Sequence, residues 1–105
     1  MHVEWSHPAR DDLNDLVRYI SRDSVRYANN FAEKILMATR RLNQFPESGR
    51  IVPEDESQQT REIIVQGYRV MYAIESDHVL VLAVMHGSRD LGNRDNQPWA
   101  DDATE

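Results

Sequence analysis

The stretch REIIVQGYRVMYAIESDHVLVLAVMHGSRD, Arg61–Asp90, decides the fold class of this chain. Three segments in it, REIIV, YRVMYAIE and HVLVLAVMH, are rich in the β-branched, aliphatic and aromatic residues that strands favour. Gln66-Gly67 and Ser76-Asp77 separate them, and two-residue linkers of this kind form tight hairpin turns. The stretch therefore predicts an antiparallel meander. Its last strand is apolar on both faces, which is typical of a central strand covered on both sides.

The first half of the chain predicts a short strand followed by two helices. His2–Trp5 alternates polar and apolar residues, as a strand with one buried face does. Ser6 can cap the first helix and Asp23-Ser24 the second, and apolar residues recur at helical spacing after each cap. The second helix must end by Phe45, because Pro46 disfavours helical geometry in the residue before it. The predicted order is βααβββ, an α+β fold in which a helix hairpin packs on an antiparallel sheet.

The composition indicates a single globular domain. The chain has 105 residues, of which 40% are hydrophobic and 29% charged, and this balance is that of a folded protein. We assign residues 1–92 to one domain and residues 93–105 to an acidic C-terminal tail, in which Trp99 is expected to dock onto the body. There is no cysteine, so neither disulfides nor thiolate metal sites are expected.

Charge and hydropathy exclude several classes of function. The longest apolar run, Val79–Met85, is far shorter than the roughly 20 residues that span a bilayer. The N-terminus carries no basic and apolar signal pattern, which favours a cytoplasmic protein. The formal charge of −6 argues against a general nucleic-acid binder, whose affinity depends on neutralising phosphates. No phosphate-binding glycine loop and no nucleophile elbow is present, and we expect no cofactor and no metal. His7 and Asp11 share a helix face, but two exposed ligands seldom bind a metal.

The polar residues of the predicted sheet form one candidate site. With a two-residue turn at Ser76-Asp77, counting outward places Arg69 opposite Val84 and Gly67 opposite His86. Arg69 and His86 would then be diagonal neighbours on one face of the sheet, provided that the register does not slip.

Two interpretations of this cluster stay open at this point. In the catalytic one, His86 acts as acid or base while Arg69 or Arg89 stabilises a phosphate oxyanion. In the structural one, His86 closes the sheet end and the arginines pair with carboxylates such as Glu62, Glu75 or Asp90.

The chain resembles a known family of bacterial proteins. The motif W-x3-A-x2-DL starting at Trp5, the segment FPxxGRxVPE starting at Phe45, then YRVxY starting at Tyr68 and HGSR starting at His86 are similar to the ParE branch of the RelE/ParE toxins. These are toxins of type II toxin–antitoxin systems, and their βααβββ fold agrees with the order derived above. The resemblance extends from Trp5 to Arg89.

The resemblance implies one of two activities. RelE-like members are ribosome-dependent endoribonucleases, for which Arg69, Arg89 and His86 would be the catalytic residues. ParE-like members inhibit DNA gyrase and arrest growth without known chemistry of their own. The FPESGRIVPE loop and the acidic balance both favour the ParE type, a binding toxin rather than an enzyme. A toxin-derived interaction module without toxicity is a third possibility.

The resemblance also implies a cognate antitoxin as partner, in a hetero-oligomer that contacts DNA only through the antitoxin. The antitoxin of such pairs wraps the toxin as a helix across the hairpin and a strand added to the sheet. REIIV, at a predicted open edge, is the physical candidate for strand addition. The residues expected to contact antitoxin or target are Arg50, Arg61, Arg69, His86 and Arg89.

Overall fold

The computed structural model describes residues 1–100 and confirms the α+β fold, with two helices packed on a five-stranded sheet. In chain order, the elements are β1 (His2–Trp5), α1 (His7–Ser21), α2 (Val25–Arg40), β2 (Arg50–Ile51), β3 (Thr60–Val65), β4 (Tyr68–Ile74) and β5 (His78–His86). The sheet order is β1-β5-β4-β3-β2, with β1 parallel to β5 and the other neighbours antiparallel. The predicted order lacked β2, because two residues are too few to show an alternation.

The helix starts and the hairpin turns are where the sequence predicts them. The hydroxyls of Ser6 and Ser24 accept hydrogen bonds from backbone amides in the first turns of α1 and α2, at 3.1 and 3.0 Å. Gln66 and Gly67 both have positive φ, 55° and 82°, which is the geometry of a type I′ turn. The Glu75 amide donates to the carbonyl of His78 at 2.8 Å and closes the second turn.

Both faces of the sheet are covered. On one, the helix face, residues of α1 and α2 pack on residues of β4 and β5, and the buried set is Ala9, Phe31, Ile35, Val70, Val81 and Val84. On the other, the outer face, the chain segments before β3 and after β5 complete a second cluster of Val52, Met71, Ala83, Met85 and Leu91. Trp99 packs against this outer cluster, so the predicted docking of the tail is confirmed for that residue. Residues 101–105 of the predicted tail lie outside the described residues.

The predicted register between β4 and β5 is correct only in the half next to the Ser76-Asp77 turn. Tyr72 opposes Val81 as expected, but a β-bulge follows, and Arg69 lies opposite Met85 instead of Val84. His86 therefore opposes Tyr68 instead of Gly67. The extra residue is Leu82, and an inserted residue moves every later side chain of the strand to the opposite face. The prediction that Arg69 and His86 share a face is therefore wrong.

Beyond the end of β1, the bulged part of β5 forms hydrogen bonds with the start of α1 and with Ser6, which precedes it. The amide of Ser6 donates to the carbonyl of Val81 at 3.0 Å, and the carboxylate of Asp12 accepts the amide of Val84 at 3.0 Å. Burial raises the pKa of Asp12, although the hydrogen bond from Val84 acts in the opposite direction. A side chain of the helix thus replaces the strand that β5 lacks beyond Trp5.

Among the residues that the structure describes, no helix has the length and apolar character needed to cross a membrane.

Candidate functional site

Arg69 lies on the outer face of the sheet in a closed ion-pair network. Its two terminal nitrogens bind both carboxylate oxygens of Glu54 at 2.7 and 3.1 Å, and its Nε donates to Glu62 at 2.6 Å. Arg50 of β2 binds the second oxygen of Glu62 at 2.6 Å. Two arginines therefore balance two glutamates, and Arg69 is only 5% exposed.

The charges of this network reinforce one another. The hydrogen bonds that Arg69 donates to Glu54, followed by the one to Glu62, raise the pKa of Arg69 above its ordinary value despite burial. The hydrogen bond from Arg69 in turn lowers the pKa of Glu54. A bidentate guanidinium–carboxylate pair is among the stronger hydrogen-bonded contacts in proteins. The guanidinium of Arg69 is held by protein carboxylates and turned away from solvent.

The loop that supplies Glu54 is held by its neighbour Asp55, which is 2% exposed. The carboxylate of Asp55 accepts hydrogen bonds from Ser57, Gln59 and Thr60 at 2.7 to 3.2 Å. Burial alone raises the pKa of Asp55, but these hydrogen bonds together outweigh it and the pKa lies below its ordinary value. The loop is consequently folded on itself and presents Glu54 to Arg69 in a fixed position.

Arg61 holds a second loop, at the helix face. It donates to the carbonyls of Glu47 and Gly49 at 3.2 and 2.7 Å. Tyr72, which lies opposite Arg61, donates its hydroxyl to the carbonyl of Pro46 at 2.6 Å and accepts the amide of Gly49 at 2.9 Å. A side chain at Gly49 would collide with the Tyr72 hydroxyl and a backbone carbonyl, both 2.6 Å from the Cβ position. The glycine of the FPESGR segment is thus required by packing.

His86 and Arg89 lie at the exposed end of β5. The ring of His86 meets that of Tyr68 edge-on, with centroids 5.3 Å apart. Its Nδ1 accepts the amide of Ser88 at 3.1 Å and lies 2.7 Å from the Ser88 hydroxyl. Arg89 donates to Asn96 at 3.1 Å and is exposed.

The predicted site residues therefore fall into separate groups. Arg50 and Arg69 meet at Glu62 on the outer face, and His86 lies on the helix face because its strand partner is Tyr68. The structural interpretation of Arg69 is confirmed, since it pairs with Glu62. Glu54 was not foreseen as its second partner, because the sequence gives no register between a loop and a strand.

A groove opens beside the free part of β3. Ile64 and Phe45 are each 56% exposed there, and the groove of about 410 Å³ is lined by Ala38, Arg41, Leu42, Phe45, Ser48, Ile63, Ile64 and Val65. Within the described residues, β2 pairs with β3 only at Arg61 and Glu62. The edge predicted to be open along all of REIIV is therefore covered in its first half and free in its second.

The helix hairpin carries further exposed apolar residues, with 40% to 65% of each exposed: Tyr19, Val25, Tyr27, Leu36 and Met37. Scattered apolar residues are normal on a surface, but several on one pair of helices are typical of a surface that receives a partner.

The sequence model of one protein family, described as the ParE toxin of the type II toxin–antitoxin system parDE, matches residues 3–91. No curated protein matches the sequence.

Solved structures that are similar to this chain include two toxin–antitoxin assemblies. The chromosomal ParDE toxin–antitoxin system from P. aeruginosa aligns with a TM-score of 0.69 and 17% identity, over 82% of this chain and 95% of that one. The RelBE2 toxin–antitoxin complex from Mycobacterium tuberculosis aligns with a TM-score of 0.52 and 25% identity, over 81% of this chain and 95% of that one. At 17% identity, the first similarity shows the fold alone.

Proposed function

The chain belongs to the ParE toxin family of type II toxin–antitoxin systems, and from that premise we propose that it arrests growth by inhibiting DNA gyrase in the bacterial cytoplasm. A cognate antitoxin neutralises it by covering the helix hairpin and the free edge of β3. The toxin acts by binding and not by cleaving RNA.

The pairing of Arg69 with two glutamates is the observation that favours a binding toxin over a ribonuclease. Cleavage of RNA without a metal needs a cation and an acid or base that converge on one phosphate. Here the guanidinium of Arg69 is bound by Glu54 and Glu62, and His86 lies on the other face of the sheet. Arg89 is the cation nearest to His86 in sequence, and within residues 1–100 its side chain donates one hydrogen bond, to Asn96. This arrangement supports a surface for binding more than a catalytic centre.

The target is tested with purified gyrase and supercoiled plasmid. We expect the chain to increase the amount of linear plasmid that is released when gyrase is denatured, because a trapped complex holds cleaved DNA. Adding an equimolar amount of antitoxin should remove the effect. Normal supercoiling with intact plasmid contradicts the proposal, and codon-phased cuts in translated mRNA during growth arrest would favour the ribonuclease.

The five predicted contact residues divide by exposure. Arg50, His86 and Arg89 are exposed and stay in the proposal as contacts to antitoxin or target. Arg61 and Arg69 act indirectly, by holding the loops next to that surface.

Ile64 is the position at which a strand of the antitoxin would pair. The carbonyl of Thr60 accepts the amide of Val52 across the outer edge of β3, and backbone groups alternate in direction along a strand. Residues 60, 62 and 64 therefore direct their amides and carbonyls outward. The amide of Thr60 donates to Asp55, and Glu62 pairs with Arg50 of β2. Ile64 lies beyond the residues that β2 pairs with.

The strand addition is tested by comparing Ile64→Pro with Ile64→Ala. Both shorten the side chain, but only proline removes the outward amide, and an edge strand tolerates it. A partner carbonyl left without a donor costs about 1–3 kcal/mol, so the proline variant should bind antitoxin roughly 5- to 150-fold more weakly than the alanine variant. Equal affinities of the two variants, measured by calorimetry, would rule out strand pairing at this residue.

A further inference from the structure

Two histidines and a glutamate meet where β1 starts beside β5. His2 and Glu4 are two residues apart on β1 and therefore share a face. Val3 and Trp5, which alternate with them along β1, pack toward the helices. His2 and Glu4 therefore point to the outer face. The parallel register pairs His2 with His78, the first residue of β5. One nitrogen or oxygen atom of each of the three side chains lies within 4.8 Å of the others.

The distances suit a small metal ion. His2 Nε2 lies 2.6 Å from one carboxylate oxygen of Glu4, and His78 Nε2 lies 3.8 Å from the other. A tetrahedral zinc ion at about 2.0–2.1 Å from each ligand holds its ligand atoms roughly 3.3 Å apart. The observed separations bracket this value. The three side chains are 22% to 58% exposed, so small rotations can bring the ligand atoms to the required distance. The two imidazole rings are stacked, with centroids 5.5 Å apart and planes inclined by 20°, and the Nε2 atom of each ring lies near the Glu4 carboxylate.

Asp77 orients one of the ligands. Its carboxylate lies 2.8 Å from Nδ1 of His78. An ionised carboxylate only accepts hydrogen bonds, so Nδ1 carries a proton, and Nε2, on the side of Glu4, is the nitrogen that would bind a metal once it is unprotonated. A carboxylate on the far nitrogen of a histidine is the usual support of a histidine that binds a metal.

We propose that His2, Glu4 and His78 bind one divalent transition-metal ion of the zinc type, with water completing its coordination. Two imidazoles and a carboxylate are the donors that such ions take, whereas magnesium and calcium prefer oxygen ligands alone. The two carboxylates of Glu4 and Asp77 also make the site negative, which attracts a cation. Because two ligands stand on β1 and one on β5, the ion fixes the four-residue first strand to the sheet.

The site is tested by titrating Zn²⁺ into the full chain, freed of any histidine tag, near neutral pH. The chain has four histidines, which provides matched variants: His2→Gln and His78→Gln inside the cluster and His7→Gln outside it. We expect one zinc ion per chain, loss of saturable binding in each cluster variant and unchanged binding in His7→Gln. Asp77→Asn should bind roughly 10- to 100-fold more weakly, because it keeps the ligands and loses their orientation.

Two further readouts distinguish a built site from loose surface binding. Co²⁺ should give the visible absorption of tetrahedral coordination, and this absorption should be absent from His78→Gln. Zinc should raise the midpoint of thermal unfolding of the wild-type chain and of His7→Gln, but not of His2→Gln. The proposal is overturned if the wild-type chain shows no saturable binding, or if binding survives in both cluster variants. Folding of each variant is confirmed by circular dichroism, and the conclusion does not depend on toxicity.

Discussion

Replacing Arg69 by methionine removes the cation between Glu54 and Glu62 while keeping most of the length of the side chain. The side chain of Glu62 is fully buried and that of Glu54 is 33% exposed. Removing one partner of a buried ion pair costs about 3–5 kcal/mol, because the other charge stays buried without compensation. Arg50 still neutralises one oxygen of Glu62, and Glu54 can turn toward water. We therefore expect the lower end of the range, a loss of about 3 kcal/mol in the free energy of unfolding.

The assay is urea and thermal unfolding of the wild-type chain and Arg69→Met. For a domain of this size, the expected loss lowers the thermal midpoint by roughly 10–20 °C. The double variant Arg69→Met/Glu62→Leu removes both buried charges, and it should be less destabilised than the sum of its single variants. A loss below about 1 kcal/mol in Arg69→Met would refute the reasoning, because a buried Glu62 that keeps only Arg50 as a partner should destabilise the fold by more than that.

The same variant should change the acid limb of the stability curve. The hydrogen bond from Arg69 lowers the pKa of Glu54 in the folded chain. A lowered pKa contributes stability that is present above the unfolded value of about 4.3 and is lost as the pH falls through the folded value. The wild-type chain should thus lose more stability than Arg69→Met on acidification below roughly pH 5. Parallel acid limbs would show that Glu54 is not bound to Arg69 in solution.

Two further predictions concern hydrogen bonds that anchor the ends of elements. Asp12→Ala should lower the free energy of unfolding by about 1–3 kcal/mol, since the amide of Val84 loses its acceptor. Because the pKa of Asp12 is raised in the folded chain, its contribution falls as the pH rises above the unfolded value of about 3.9, and Asp12→Asn should lack that pH dependence if the assignment is correct. Tyr72→Phe leaves the carbonyl of Pro46 and the amide of Gly49 unpaired and should cost about 1–3 kcal/mol in urea unfolding. Faster amide exchange at Gly49 is expected in that variant, and unchanged exchange there would contradict the assignment.

The strand pairings of the site were accessible from local sequence signals, but the face on which the last residues of β5 lie depended on one inserted residue. The hairpin turns at Gln66-Gly67 and Ser76-Asp77 fix the start of each strand pairing, and both are confirmed. The bulge at Leu82 then reverses the face on which His86 lies. In a run as uniformly apolar as HVLVLAVM, alternation carries no information about register, so nothing in it indicates an inserted residue.

Ion pairs were predictable within one hairpin but not between segments that are distant along the chain. The sequence indicates that Arg69 has a carboxylate within reach on the adjoining strand, because Glu62 and Arg69 flank one hairpin. Glu54 lies in a loop whose position is set by the hydrogen bonds around Asp55. The meeting of His2, Glu4 and His78 likewise requires the parallel pairing of the first and last strands, whose residues are more than seventy positions apart.

The α+β class, the caps of both helices, the hairpin turns and the resemblance to the ParE branch could be predicted, because each depends on residues that are close along the chain. The face that each polar residue occupies, and whether its charge is free or paired, could be read only from the folded chain. Those properties depend on strand register and on the path of loops, and a change of one residue in either reverses them. In this chain, one inserted residue in β5 places His86, which is exposed, on the opposite face of the sheet from Arg69, which is buried.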